Sequence, residues 1–230
     1  MSTEPELVEV FDTTLRDGLQ VEGVSATVDD KLRIAEQLDF LGVHYIEGGW
    51  PGANPKDIEF FARATRELTF STSTLVAFGS TRRPRGKVDD DATLRNLIEA
   101  NTSAVCIVAK SWDYHVLEAL QTTLDEGAAM IADSVEYLKG HGRLVMVDME
   151  HFFDGYKRNP EFSLRAIEAA VTRGASHRPT SGHASPIMND QRFSVLWSAC
   201  RSRTSAALGA VCASSRSMPG ISSVMSPYAP

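Results

Sequence analysis

Five short runs of β-branched and apolar residues recur along the first three-quarters of the chain, and a stretch with helical periodicity follows each one. No other feature restricts the fold as much. The runs are Leu7 to Asp12, Val43 to Glu47, Thr72 to Phe78, Ala104 to Ala109 and Arg143 to Asp148, and their composition predicts strands. The helices between them open on local signals. Thr27 with Asp30 reads as a capping box, and Leu32, Ile34, Ala35, Leu38 and Leu41 form one apolar face that Gly42 ends. Asn54-Pro55 and Asn159-Pro160 each place a capping side chain before a proline at the first helical position. They predict helices reaching to about Arg66 and to Gly174. Two further helices are expected, from about Asp90 to Asn101 and from Ser111 to Lys139, the second broken near Gly127.

Strand–helix alternation of this kind implies a parallel sheet covered by helices. An open doubly wound sheet and a closed barrel both satisfy it. No GxGxxG follows the first strand, which weakens a dinucleotide-binding reading. Polar residues gather just past the strand ends: Arg16 and Asp17, Glu47, and Asp148 to Glu150. In a (β/α)8 TIM barrel that edge is the active-site face. The expected fold is therefore α/β, a (β/α)8 barrel that is incomplete here, with about five βα units. A whole barrel takes about 250 residues, whereas this chain has 230.

The pattern stops near residue 176. Residues 177–230 hold five arginines, no lysine and one acidic residue, Asp190. The first 176 residues keep 18 of the 23 basic residues and 29 of the 30 acidic ones, a balance of −11 against +4 for the rest. The division expected is residues 1–176 as the N-terminal part of a barrel domain and 177–230 as an irregular Ser/Arg/Pro-rich tail outside that fold. Overall the chain is 43% hydrophobic and 23% charged with a net charge of −7. That is the balance of a globular protein with no nucleic-acid surface. Cys106, Cys200 and Cys212 are far apart, which supports neither a disulfide framework nor a structural zinc site. The acidic start has no apolar leader, and no run of about 18 apolar residues occurs. A cytoplasmic protein acting on small molecules, without nucleic-acid or membrane partners, is expected.

The densest polar cluster is Asp12-Thr13-Thr14-Leu15-Arg16-Asp17-Gly18-Leu19-Gln20. A carboxylate at a strand end can bind a divalent metal, and an adjacent guanidinium can hold a developing oxyanion. A loop that caps the barrel through hydrogen bonds is the other reading. DTTLRDG followed by Gln resembles the signature of the 2-isopropylmalate, homocitrate and citramalate synthases, metal-dependent TIM-barrel acyltransferases. Hydroxymethylglutaryl-CoA lyases carry close variants. That family usually has Glu where Leu19 stands. The resemblance implies Asp17 as a metal ligand, Arg16 as a catalytic residue holding the enolate or the attacked carbonyl oxygen, and Gln20 in the substrate pocket.

Tyr45-Ile46-Glu47-Gly48-Gly49-Trp50-Pro51-Gly52 is similar to the family's strand-two motif, and its Gly-Trp-Pro form is most like the citramalate branch. Glu47 then positions Arg16 or a substrate group; equally, it is a buried, paired carboxylate tying two strand ends together. Met149-Glu150-His151-Phe152-Phe153-Asp154-Gly155-Tyr156 resembles another stretch of that branch. It implies Glu150 as the acid/base facing the acetyl-CoA methyl, against a loop carboxylate with no role. His151 is expected to be a packed or surface histidine. Ser111 is read as a helix cap, Asp89-Asp90-Asp91 as the negative start of a helix, and Arg82 to Lys87 as a solvated basic loop rather than a seat for coenzyme A phosphates.

The resemblance implies condensation of acetyl-CoA with a 2-oxo acid. Pyruvate would give citramalate for the isoleucine route; 2-oxoisovalerate, for the leucine route, is the alternative. It also implies magnesium, manganese or zinc, and pairing into a homodimer. The family's Cys-Asp-Thr-Asn-Gly and His-x-His motifs are absent after residue 176. That absence leads to the expectation of a change of reading frame near that codon, and two alternatives stand beside the synthase reading: an inactive fragment of the family, and a carbon–carbon lyase on the same barrel.

Overall fold

A computed structural model describes residues 9–175. The tail assigned to 177–230 and the start of the first expected strand lie outside the described residues. The elements are β1 (Phe11–Asp12), α1 (Val28–Phe40), β2 (Tyr45–Gly49), α2 (Pro55–Glu67), β3 (Thr74–Ser80), α3 (Ala92–Glu99), β4 (Ala104–Lys110), α4 (Leu124–Gly140), β5 (Leu144–Glu150), α5 (Phe152–Arg158) and α6 (Pro160–Thr172). The strands form one parallel sheet in the order β1-β2-β3-β4-β5. Each strand lies beside its predecessor. A doubly wound sheet must reverse its strand order at a switch point; this one never does, so the alternation resolves to five staves of a barrel wall. Among the described residues no helix is long and apolar enough to cross a membrane.

The period of two along each strand sorts side chains onto two faces. Leu75, Ala77, Val105, Ile107, Ala109, Val145 and Met149 pack with the helices in the larger core. Val76, Phe78, Ala104, Cys106 and Met146 join Tyr45, Phe11 and Trp50 on the opposite, inner face of the wall.

The helix signals act as expected. The Thr27 hydroxyl accepts from Asp30 N at 3.1 Å, and Thr27 N donates back to the Asp30 carboxylate at 3.0 Å. Asn54 and Asn159 accept from Asp57 N at 2.8 Å and Phe162 N at 3.1 Å. Asp91 caps α3 by accepting from Thr93 N and Leu94 N, so the acidic run is a helix start.

Four local expectations change. The long helical stretch breaks at Leu120–Thr123, after one π-type turn over His115–Ala119, and not near Gly127. Gly127 lies inside α4, where a Cβ would come 2.9 Å from a Val116 methyl. Ser111 caps no helix. Its hydroxyl donates to the Glu150 carbonyl at 2.8 Å, and its own carbonyl accepts from the Ser163 hydroxyl at 2.7 Å. The short α5 was not expected; it starts directly after β5, through His151 at φ 54°. The basic loop is solvated at Arg83, Arg85 and Lys87 but not at its first residue: Arg82 is buried, with Nε and Nη2 on Asp133 at 2.9 and 2.7 Å and Nη1 on Glu126 at 2.6 Å. It latches the exit of β3 onto α4.

A second buried cation joins the first two helices. Lys31 is 1% exposed and donates to the Asp57 carboxylate at 2.6 Å, with its ammonium 4.7 Å from the Phe60 ring centre. Removing one member of a buried pair leaves the other charge uncompensated. Lys31→Met is expected to lower the unfolding free energy by about 3 kcal/mol, read as a shift in urea midpoint. A loss below about 1 kcal/mol, the scale of an exposed pair, would show that Asp57 does not depend on this cation.

Candidate active site

The loop leaving β1 turns back over the sheet because local groups close it. The Asp12 carboxylate accepts from Thr14 N and the Thr14 hydroxyl at 2.9 and 3.0 Å, and the Thr13 carbonyl accepts from Arg16 N and Gly18 N at 3.1 Å each. Leu15 is buried and anchors the turn from below. Arg16 is thereby carried towards the end of β2, where its Nε donates to Glu47 Oε2 at 2.6 Å. Its Nη1 lies 3.3 Å from Asp17 Oδ1, and the centre of the guanidinium sits 3.9 Å from the Phe78 ring centre.

Glu47 reaches this position through a bulge. It pairs with Val76, yet Gly49 pairs with the next residue, Ala77, so Gly48 is the extra residue. A Cβ on Gly48 would come 2.6 Å from the Phe60 ring, and Gly49 has φ 144°; both positions require glycine. The Gly-Gly pair in the sequence is therefore the device that ends β2 and aims Glu47.

Glu47 is 1% exposed. Burial pushes its pKa up, Arg16 pulls it back, and Asp148 and Asp17 add to the push, leaving it at about 7 against an ordinary 4.5. Burial alone would lower the Arg16 pKa, but Glu47 and then Asp17 outweigh it and hold the guanidinium above its ordinary value. The same burial, with Glu47 and Asp148 nearby, drives the Cys106 thiol well up, so Cys106 is no thiolate nucleophile.

Glu150 belongs to a neighbouring group. It is the last residue of β5 rather than a loop residue, and it pairs in register with Lys110 at the end of β4. The Lys110 ammonium contacts Glu150 Oε2, and His115 Nδ1 stands 3.8 Å from the same oxygen. Burial lowers the His115 pKa more than Glu150 raises it, which favours the neutral imidazole. Trp112, His115 and His151 pack ring to ring, with centres 4.9 Å apart for Trp112–His115 and 4.8 Å for His115–His151.

The structure thus brings Arg16, Asp17 and Glu47 into direct contact and sets Glu150 beside Lys110. Gln20 ends a single 3-10 turn, exposed, and takes no part in the Arg16 contacts. Phe78, Lys110 and Asp148 were not singled out as individual site residues by the sequence. Phe78 looked like core, Lys110 like the residue after a strand, and Asp148 was only one of a polar cluster. A period of two counted back from Glu150 would have placed Asp148 on its face. Among the described residues, no three His, Cys, Asp or Glu side chains converge to hold a metal ion. Asp17 alone does not make a metal site.

A parallel βα wall carrying its polar cluster on the C-terminal strand ends defines part of a TIM barrel. Solved structures share the wall. The HMG-CoA lyase of Bacillus subtilis superposes with a TM-score of 0.57 at 21% identity, covering 75% of this chain and 57% of that one. The HMG-CoA lyase of Brucella melitensis gives 0.53 at 14%, covering 74% and 59%. Residues 7–208 match the HMGL-like family, and the chain belongs to it. Among curated relatives, the (R)-citramalate synthase of Aquifex aeolicus is 56% identical over 170 residues, 74% of this chain and 32% of that one. The (R)-citramalate synthase of Streptomyces coelicolor is 55% identical over 166 residues, 72% and 31%. The 2-isopropylmalate synthase of Sulfolobus acidocaldarius is 34% identical over 174 residues, 76% and 42%. The chain spans about a third of the length of the citramalate synthases it matches.

Because the folded-state pKa of Glu47 lies above its ordinary value, the group's contribution to stability is present below about 4.5 and is lost as pH rises through about 7. That loss is on the order of 3 kcal/mol. Urea unfolding of the unsubstituted chain and of Glu47→Gln, measured from pH 4 upwards, should diverge across this window, with the falling limb missing in the variant. Parallel curves would contradict the raised pKa.

Proposed function

We propose that the chain carries the 2-oxo acid half of a site that condenses acetyl-CoA with pyruvate to give citramalate, an acyltransferase reaction of the isoleucine route. The Arg16–Glu47 contact at the mouth of the wall is the observation that carries the reading, and 47–56% identity to (R)-citramalate synthases from five organisms supports pyruvate as the acceptor. Arg16 has its Nε on Glu47 and its Nη1 towards Asp17. Its remaining donors are available to a keto or carboxylate oxygen, and bidentate recognition of this kind is what a guanidinium does best.

Glu150 is assigned the proton on the acetyl-CoA methyl. The resulting carbon forms the new bond to the keto carbon, and the alkoxide charge develops opposite Arg16. Water then cleaves the thioester and frees the thiol of coenzyme A. Lys110, in contact with the Glu150 carboxylate, holds it at the end of β5. Gln20, exposed at the end of the turn that follows Arg16, is assigned to substrate binding. Asp17 is the one ligand this stretch offers to a magnesium, manganese or zinc ion.

One observation favours a second reading, a non-catalytic fragment: among the described residues no three metal-binding side chains converge. Thiol release separates the two. With acetyl-CoA and Mg2+ or Mn2+, the full chain should release free thiol faster with pyruvate than with 2-oxoisovalerate. Arg16→Lys should lower kcat by about a hundredfold, the effect of removing one donor to a developing oxyanion. A preference for 2-oxoisovalerate would move the assignment to the leucine route. No release with either acid, together with no Mn2+ binding by titration, would establish the fragment reading.

A further inference from the structure

Phe78 and Trp50 carry a role that neither the sequence motifs nor the proposed chemistry assigns. Phe78 lies on the inner face of β3 and is 5% exposed. Its ring face carries the Arg16 guanidinium at 3.9 Å from the ring centre. Trp50 packs against Phe78 edge-on, with ring centres 5.5 Å apart and planes at 79°. Trp50 is itself held by its backbone, since its N–H donates to the Asp57 carboxylate at 2.9 Å. Asp57 is fixed in turn by Lys31 at 2.6 Å.

We propose that Phe78, braced by Trp50, is a positioning residue for Arg16. A guanidinium tethered at one edge to Glu47 can still rotate about that hydrogen bond. Stacking on an aromatic face removes this freedom, because the ring's negative face attracts the cation and a planar guanidinium gains most contact when it lies along that face. The two contacts together fix the plane of Arg16, and with it the direction in which its remaining donors point. An aliphatic side chain at position 78 could fill the space but could not hold the plane. The aromatic face, not the apolar volume, is what the position requires. The catalytic consequence rests on the synthase reading above; the stacking itself does not.

Three chains test it: unsubstituted, Phe78→Leu and Phe78→Tyr. The Arg16 Nε–Hε resonance in a nitrogen–proton spectrum reports the stack directly. In the unsubstituted chain and in Phe78→Tyr it should be shifted upfield by the ring and protected from exchange by the Glu47 hydrogen bond; in Phe78→Leu it should lose the shift and broaden. Turnover supplies the second readout. Phe78→Leu should lower kcat by about tenfold, a typical worth for such a contact and in the direction expected for Arg16→Lys, with KM for the 2-oxo acid much less affected, and Phe78→Tyr should restore it. An unshifted Arg16 resonance in the unsubstituted chain overturns the proposal without any variant having to fold, and so does a Leu variant with the spectrum and kcat of its parent. If the spectra behave as expected and no chain turns over, the positioning stands and the synthase reading falls.

Discussion

The Asp57 carboxylate is the point on which the described structure converges. It sits at the third residue of α2, accepts from Lys31 on α1 at 2.6 Å, from Trp50 N just past β2 at 2.9 Å and from Asn54 Nδ2 at 3.2 Å. Gly49 makes room for it, since a Cβ there would come 2.6 Å from the carboxylate carbon. One side chain therefore closes the β2–α2 turn, ties two helices and sets the start of Gly-Trp-Pro. A buried charge is tolerable only when its hydrogen-bonding capacity is met, and here three donors meet it. Such a site has one geometry in which all three bonds form, which makes the turn above it rigid. Rigidity matters because Trp50 leads to Phe78, and Phe78 to Arg16.

On the other face of the wall the same physics is left unresolved on purpose. Arg16 faces Glu47 and Asp17 directly and lies in the field of a charge cluster that includes Asp148. Desolvation works against the ionised form of Glu47 there, and Arg16 offsets it only in part. The outcome is the elevated Glu47 pKa, caused by burial first and by Asp148 and Asp17 after it. Functional sites are where such imbalances persist, because a fold selected for stability alone would remove them.

What could be read from the sequence was local. The Thr27–Asp30 box and the Asn-Pro starts act within three or four residues, and each sits where its side chains imply. Strand existence was equally clear, because five apolar runs between helices admit few alternatives. Strand ends were less so. The runs placed at 43–47 and 72–78 are strands at Tyr45–Gly49 and Thr74–Ser80, since pairing with the neighbouring strand, not composition, decides where a ladder stops. The glutamate that closes the apolar run of β2 was visible as a strand-end carboxylate; the structure buries it and pairs it with Arg16. The stack of Arg16 on Phe78, 62 positions apart in the chain, had no local signal. Neither did Lys110 against Glu150, which depends on the register of β4 with β5.

The charge at the mouth of the wall also constrains how any 2-oxo acid could be held. Such an acid is an anion, and under the proposed function it would approach Arg16 past Asp17 and Glu47, two carboxylates already in contact with that guanidinium. Repulsion between like charges a few ångströms apart in a partly dry site is worth kilocalories. Two things can relieve it. Glu47 can take up a proton, which its raised pKa permits near neutrality. Alternatively, a cation can sit beside Asp17 and turn the local field positive. The first costs Arg16 its charged partner and loosens the very geometry that makes the guanidinium useful. The second leaves the Arg16–Glu47 contact intact and supplies the charge the anion needs. Under the proposed function, anion binding and a fixed Arg16 become compatible when positive charge is added next to Asp17, which is the part proposed for a metal ion there.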